Sequence, residues 1–107
     1  MIKQFNAAEF NEAVQNSDKP LIVDFYADWC VPCKMMAPIL SQVESENKDS
    51  IIFGKINIDE NTDIALEYRV LSIPTLLFIK NGEVAGRIEG AVAKSVVDQK
   101  IEKYLKS

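Results

Sequence analysis

Two cysteines, Cys30 and Cys33, stand three positions apart in the stretch VDFYADWCVPCK, residues 23–34. An ionised thiol is a nucleophile, and two nearby thiols can alternate between a dithiol and a disulfide. On a helix, three residues advance the chain by about 4.5 Å and bring the two Cα atoms to roughly 5 Å, which is within the range of a disulfide. The spacing therefore indicates thiol redox chemistry.

The two cysteines differ in their predicted positions. Residues 21–27 form an apolar run that predicts a buried strand, and a helix is predicted from Cys33 onward. Unpaired N–H groups and the helix dipole stabilise a thiolate at a helix start. We therefore expect Cys30 to be the nucleophile and Cys33 to be the resolving thiol. Pro32 suits the first helical turn, because its φ is fixed and it needs no N–H partner.

A CxxC pair can also be half of an iron–sulfur or zinc site that another chain completes. The chain has no histidine and two cysteines, so it cannot by itself supply four of the usual soft ligands. The position of the pair between a strand and a helix favours the redox interpretation. We expect no metal site within one chain.

Asp24 stands inside the apolar run that precedes Cys30. A charged, unpaired carboxylate in such a strand costs several kcal/mol, so Asp24 needs a partner or a function. One interpretation is an ion pair with Lys55, the charged residue inside the other long apolar strand. The second is a catalytic role, because buried titratable groups beside a reactive centre are functional candidates.

The remaining patterns predict the elements that position these residues. The chain has 107 residues, of which 48% are hydrophobic, and this fits one domain over residues 1–107. Asn6 and Glu9 form a capping box, and Asn81-Gly82 is a hairpin signal. The predicted strands are residues 2–5, 21–27, 51–58, 75–79 and 84–88; the predicted helices are residues 7–16, 33 onward with a kink at Pro38, 62–68, and a last helix with the apolar stripe Val97, Ile101, Tyr104 and Leu105.

This order, βαβαβαββα, predicts an α/β fold in which helices flank a mixed central sheet on both faces. Acidic and basic residues are interspersed, and the formal net charge is −4, which argues against nucleic acid or anionic lipid as a partner. No stretch is apolar over the length of a signal peptide or a membrane span. We expect a cytoplasmic protein, and a compartment that keeps thiols reduced favours a chemical role for the cysteines.

Several motifs together resemble the thioredoxin family. WCVPCK, residues 29–34, is similar to its active-site signature, and SIPT, residues 72–75, is similar to its cis-proline loop. FGKINID, residues 53–59, and KNGE, residues 80–83, fall in matching order, so the resemblance covers essentially the whole chain. It implies the thioredoxin fold and a reductase of protein disulfides without a bound cofactor. A thioredoxin reductase would reduce the cysteine pair again after each reaction. We expect the protein to be a monomer.

The resemblance also implies roles for single residues. Asp24 would take the proton of Cys33, through a water, and Lys55 would tune Asp24. Taken alone, Pro74 would be a trans proline at a strand start, and Trp29 could be a core residue. The resemblance instead implies a cis bond that presents the backbone of Ile73 to an extended substrate. The expected substrate-binding residues are Trp29, Val31, Pro32, Ile58, Ile73, Pro74, Gly90 and Ala91.

Two positions depart from the commonest family pattern. Val31 stands where the family usually has Gly, and Tyr26 stands where it often has Trp. Because both thiols remain, we expect Val31 to leave the reaction itself unchanged and to affect the redox potential and the choice of partner. Two rival functions stay open. The first is an oxidant or isomerase, which is disfavoured because no histidine lies between the cysteines and no signal peptide is seen. The second is a binding module that holds a partner on the same apolar substrate-binding residues without turnover.

Overall fold

The strands and helices alternate along the chain as the hydrophobic patterns predict. The structure is a computed structural model that describes residues 2–106; Met1 and Ser107, the ends of the predicted domain, lie outside the described residues. Within them, no helix is both long and apolar enough to cross a membrane. The elements are β1 Lys3–Gln4, α1 Ala7–Asn16, β2 Leu21–Tyr26, α2 Val31–Asn47, β3 Ile52–Asn57, α3 Thr62–Glu67, β4 Thr75–Lys80, β5 Glu83–Glu89 and α4 Lys94–Leu105.

The five strands form one mixed sheet in the order β1-β3-β2-β4-β5. Strands β1, β3 and β2 are parallel, while β4 runs antiparallel to both of its neighbours, β2 and β5. Asn81 and Gly82 join β4 to β5 with φ angles of 55° and 79°. Positive φ at both positions is what a two-residue type I′ hairpin turn requires, so the predicted hairpin is confirmed.

The helices cover both faces of this sheet. Successive residues of a strand point to opposite faces, and two buried clusters result. One cluster joins Ile22 and Phe78 to residues of α2 and α4. The other joins Val23 and Leu77 to residues of α1 and α3. The predicted α/β fold, with helices on both faces of a mixed sheet, is therefore confirmed.

Local sequence explains how β1 and α1 attach to the sheet edge. The Asn6 side chain accepts the N–H of Glu9 at 2.8 Å, and the Glu9 carboxylate accepts the N–H of Asn6 at 3.0 Å, so α1 begins as predicted. The rings of Phe5 and Phe10 pack with centroids 6.4 Å apart. Gly54 leaves room for the Phe5 ring, because a Cβ at that position would collide with it.

The strands and α3 lie within one residue of their predicted ends, whereas α2 begins two residues before its predicted start. Helix α2 begins at Val31 rather than at Cys33, because Cys30 takes the N-cap position and its sulfur accepts the N–H of Cys33 at 3.2 Å. Strand β1 contains two residues, which pair in register with Gly54 and Lys55. Pro38 lies inside α2, and a kink at this residue stays a prediction.

Candidate active site

The cysteine pair lies at the junction of β2 and α2. Cys30 and Cys33 form a disulfide whose Cα atoms are 5.2 Å apart, close to the separation expected from helical spacing. Both residues are buried, with 4% and 5% of their surfaces exposed, so exposure does not distinguish them. Position does: Cys30 is the N-cap residue, whereas Cys33 lies in the first helical turn. The N–H groups of that turn point toward Cys30 and can stabilise its thiolate.

A loop before β4 approaches Cys30 from the other side. The sulfur of Cys30 lies 3.8 Å from the carbonyl oxygen of Ile73. The Ile73–Pro74 bond is cis, as the resemblance implied. The Thr75 hydroxyl donates to the carbonyl oxygen of Ser72 at 2.6 Å and closes the loop. Main-chain groups of Ile73 therefore lie beside the Cys30 sulfur.

The structure brings most of the predicted apolar residues around the disulfide. Ile58 and Ile73, both half-buried, pack against the cysteines. Trp29 and Val31, the chain neighbours of Cys30, are 66% and 65% exposed, so Trp29 is not a core residue. Pro32 and Ala91 are exposed, and Gly90 is half-buried.

Pro74 differs from the other expected substrate-binding residues because it is buried. Its ring therefore offers little apolar surface to a substrate. Its carbonyl oxygen instead accepts the N–H of Gly90 at 2.8 Å and ties the two loops together. Gly90 has a φ of 91°, which favours glycine, and a Cβ there would meet no atom of the described residues within 4 Å. The space above Gly90 is open to a substrate backbone.

Trp29 is held by a residue that the sequence analysis did not single out. Its indole N–H donates to Asp59 Oδ2 at 2.8 Å. The N–H of Asp59 in turn donates to Asn57 Oδ1 at 2.9 Å, which shapes the turn after β3. Trp29 and Asp59 are 30 positions apart, so no local pattern could have paired them.

Asp24 lies on β2, the strand that leads to the cysteine pair. It is 7% exposed, and among residues 2–106 its Oδ1 atom has no hydrogen-bond partner. Asp24 and Cys33 line the same cleft, which has a volume of about 180 Å³. Burial raises the pKa of Asp24 from 3.8 to about 7, and the charge of Lys55 opposes this rise. An acid with this pKa can accept a proton at neutral pH.

The charge of Lys55 influences the pKa of Asp24 without a direct ion pair. The two residues are direct neighbours in the register of β2 and β3. The described part of the chain nevertheless contains no ion pair within 4.0 Å between them. The Lys55 ammonium lies instead 5.6 Å from the centroid of the Tyr26 ring. The structure therefore does not contain the direct ion pair of the first interpretation of Asp24.

Comparison with known proteins agrees with this geometry. The family model described as thioredoxin matches residues 1–103. A thioredoxin of Porphyra purpurea is 42% identical over 104 residues, which cover 97% of each chain. Thioredoxin 1 of a Nostoc species is 39% identical over 102 residues, or 95% of each chain.

A longer relative shows the same similarity. The chloroplastic M-type thioredoxin of Spinacia oleracea is 44% identical over 104 residues, which are 97% of this chain and 58% of the spinach protein. A disulfide-forming cysteine pair at a strand-to-helix junction, a mixed five-stranded sheet and a family match over nearly the whole length lead to one conclusion. The chain belongs to the thioredoxin family.

Proposed function

We propose that this thiol–disulfide oxidoreductase works as a reductase of protein disulfides, with Cys30 as the nucleophile and Cys33 as the resolving thiol. The observation that carries the proposal is the asymmetry of the pair. Cys30 caps α2 between two exposed side chains, those of Trp29 and Val31. Cys33 lies behind it, on the cleft that holds Asp24.

In the first step, the Cys30 thiolate attacks one sulfur of a substrate disulfide. The substrate S–S bond breaks, its second sulfur leaves as a thiolate that takes a proton from solvent, and a mixed disulfide with Cys30 forms. The N–H of Cys33, 3.2 Å from the Cys30 sulfur, stabilises the attacking charge. An extended substrate segment would pair with the main chain of Ile73 beside it. Trp29, Val31, Pro32, Ile58, Gly90 and Ala91 would surround that segment.

In the second step, Cys33 loses its proton to Asp24, and the resulting thiolate attacks the Cys30 sulfur. The mixed disulfide breaks, the second substrate sulfur leaves as a thiolate that takes a proton from solvent, and the Cys30–Cys33 disulfide remains. Two electrons have then passed from the cysteine pair to the substrate. The unpartnered Oδ1 of Asp24 supports its role as acceptor, and the shared cleft of about 180 Å³ has room for a bridging water. Lys55 tunes the acid through its charge.

The oxidised protein must be reduced before it can act again. We propose that a thioredoxin reductase supplies these electrons, that the protein is a monomer, and that it works in a reducing compartment such as the cytoplasm. The relatives include chloroplastic and cyanobacterial proteins, so the similarity itself favours no single compartment. Analytical ultracentrifugation, reduction by a purified reductase with NADPH, and cell fractionation test these three parts separately.

Reduction of insulin disulfides by dithiothreitol, followed as turbidity, tests the activity. The parent protein should accelerate the reaction at catalytic concentration, and Cys30→Ser should abolish the acceleration. Ser95→Ala, at an exposed position on α4, serves as the matched control and should keep full activity. A parent that accelerates the reaction no more than the Cys30→Ser, Cys33→Ser double variant, together with a double variant that keeps the biological role, would instead support a binding module. Faster isomerisation of a scrambled substrate than reduction of insulin would support the oxidant or isomerase.

A further inference from the structure

Three polar side chains form a row across neighbouring strands next to the Asp24 cleft. The register of β1 and β3 pairs Gln4 with Lys55, and the register of β3 and β2 pairs Lys55 with Asp24. Residues paired in this way point to the same side of a sheet. Lys55 therefore lies between an amide on one side and the buried carboxylate on the other.

Tyr26 spans this row. It belongs to β2, yet its hydroxyl donates to Gln4 Oε1 on β1 at 2.9 Å, so its side chain crosses β3. Gln4 Nε2 donates to the carbonyl oxygen of Lys55 at 3.5 Å, which ties the amide to β3. The ring is thus fixed at both ends, and the Lys55 ammonium lies over it at 5.6 Å from the centroid. This distance is within the range of a cation–π interaction.

We propose that Tyr26 is a positioning residue that holds the Lys55 ammonium over its ring and away from the Asp24 carboxylate, so that Asp24 stays a proton acceptor for Cys33 at neutral pH. The inference rests on the proposed role of Asp24. Lysine has a long flexible stem, and Asp24 Oδ1 has no hydrogen-bond partner within residues 2–106. Without the ring, the ammonium could approach this oxygen, and a direct ion pair would hold the carboxylate in its charged form.

The other groups around Asp24 do not exert the same control. Helix α2 contributes Cys33, Lys34 and Glu44 to the two clefts that Asp24 lines, and the loop after β2 contributes Asp28. Lys34 and Asp28 are exposed, so water screens their charges. On β4, the neighbour of Asp24 is the apolar Leu76. Lys55 is the cation that the sheet itself places beside Asp24.

Titration of the Asp24 carboxyl carbon by NMR tests this inference directly. The disulfide form is used, so that neither cysteine titrates. Tyr26→Leu should lower the midpoint by roughly half a pH unit, the size expected when a cation–π contact is lost. Tyr26→Trp keeps a ring and an N–H donor and should stay closest to the parent, whereas Tyr26→Phe keeps the ring but loses the bond to Gln4 and should fall between the parent and Tyr26→Leu. In a Lys55→Gln background, Tyr26→Leu should change nothing.

A midpoint that Tyr26→Leu leaves unchanged would overturn the proposal. So would an equal shift in the parent and in the Lys55→Gln background, because the ring would then act through packing and hydration alone. Gln4→Ala, at an exposed edge position, frees the hydroxyl end of the ring without touching the core. It should lower the midpoint in the same direction, and a parent-like midpoint would count against the proposal even if Tyr26→Leu failed to fold.

The proposed role of Asp24 fails by a different measurement. If Asp24→Asn resolves a mixed disulfide at the parent rate across pH 6–9, Asp24 is not the acceptor, whereas the titration midpoints still show whether Tyr26 positions Lys55. If both hold, the pH at which resolution is half-maximal should shift with the midpoint in Tyr26→Leu and should not shift in the Lys55→Gln background.

Discussion

Replacement of Asp24 by asparagine should stabilise the fold at alkaline pH. Asp24 is 7% exposed, and burial raises its pKa from 3.8 to about 7. At about 1.4 kcal/mol per pKa unit, the charged carboxylate costs the folded state roughly 4 kcal/mol above pH 7. Asparagine stays neutral, but its amide needs a partner in the same place, at a cost of about 1–2 kcal/mol. The expected net gain in the free energy of unfolding is therefore about 2–3 kcal/mol at pH 8.

The dependence on pH follows from the direction of the shift. Because the pKa is raised in the folded state, the folded protein holds the proton over a range in which the unfolded chain has lost it. The contribution of the Asp24 carboxyl to the stability of the parent is thus complete below about pH 4, is lost as the pH rises through 7, and does not change further above that. At pH 4 only about 0.5 kcal/mol of this charge cost remains, so the amide cost should leave Asp24→Asn about 0.5–1.5 kcal/mol less stable than the parent.

Guanidinium unfolding of the disulfide forms at pH 4 and pH 8 measures both quantities. Asp49→Asn, at an exposed position after α2, is the matched control and should change stability by less than about 0.5 kcal/mol at either pH. The reasoning is refuted if Asp24→Asn is no more stable than the parent at pH 8, or if its gain is the same at both pH values. Either result would mean that the folded protein carries the Asp24 charge without cost.

Three further predictions concern the surface around the cysteines. Val31→Gly changes the residue next to Cys30 at the start of α2 and should shift the redox potential by about 10–30 mV in either direction. The potential is measured against glutathione buffers, and an unchanged value would mean that Val31 does not affect it. Gly90→Ala should destabilise the fold by about 1–2 kcal/mol in urea unfolding, because φ is 91°, and a stable variant would contradict the backbone argument. Asp59→Ala frees the Trp29 indole and should raise the KM for insulin about fivefold while kcat stays within about twofold of the parent value. A decrease confined to kcat would instead mean that Asp59 takes part in the chemical step.

Signals that are local in sequence predicted their structures well. The Asn6–Glu9 capping box positions α1, and the Asn81-Gly82 turn joins β4 to β5, since each depends on residues within three positions of each other. The nearly continuous apolar run of residues 21–27 predicted a strand buried on both faces, because successive side chains along a strand point to opposite faces of the sheet. The start of α2 was placed two residues late, since Val31 is not a strong helix former and the cap is a sulfur atom.

The environment of Asp24 could not be predicted in the same way. The sequence pointed to Lys55 as its partner, and the register does make them neighbours. The location of the ammonium depends, however, on the Tyr26 ring, which is fixed by Gln4, 22 positions away in the chain. Such side-chain arrangements exist only once three or more elements have packed.

The asymmetry of the cysteine pair is tested most directly by trapping the mixed disulfide. Cys33→Ser and Cys30→Ser are each incubated with a disulfide-containing protein, and mass spectrometry of the digested adducts identifies the linked cysteine and the yield. Cys33→Ser should accumulate an adduct through Cys30, while Cys30→Ser, whose remaining thiol lies within α2 beside Asp24, should yield little. A comparable yield of adduct through Cys33 in the Cys30→Ser protein would contradict the assignment of Cys30 as the nucleophile.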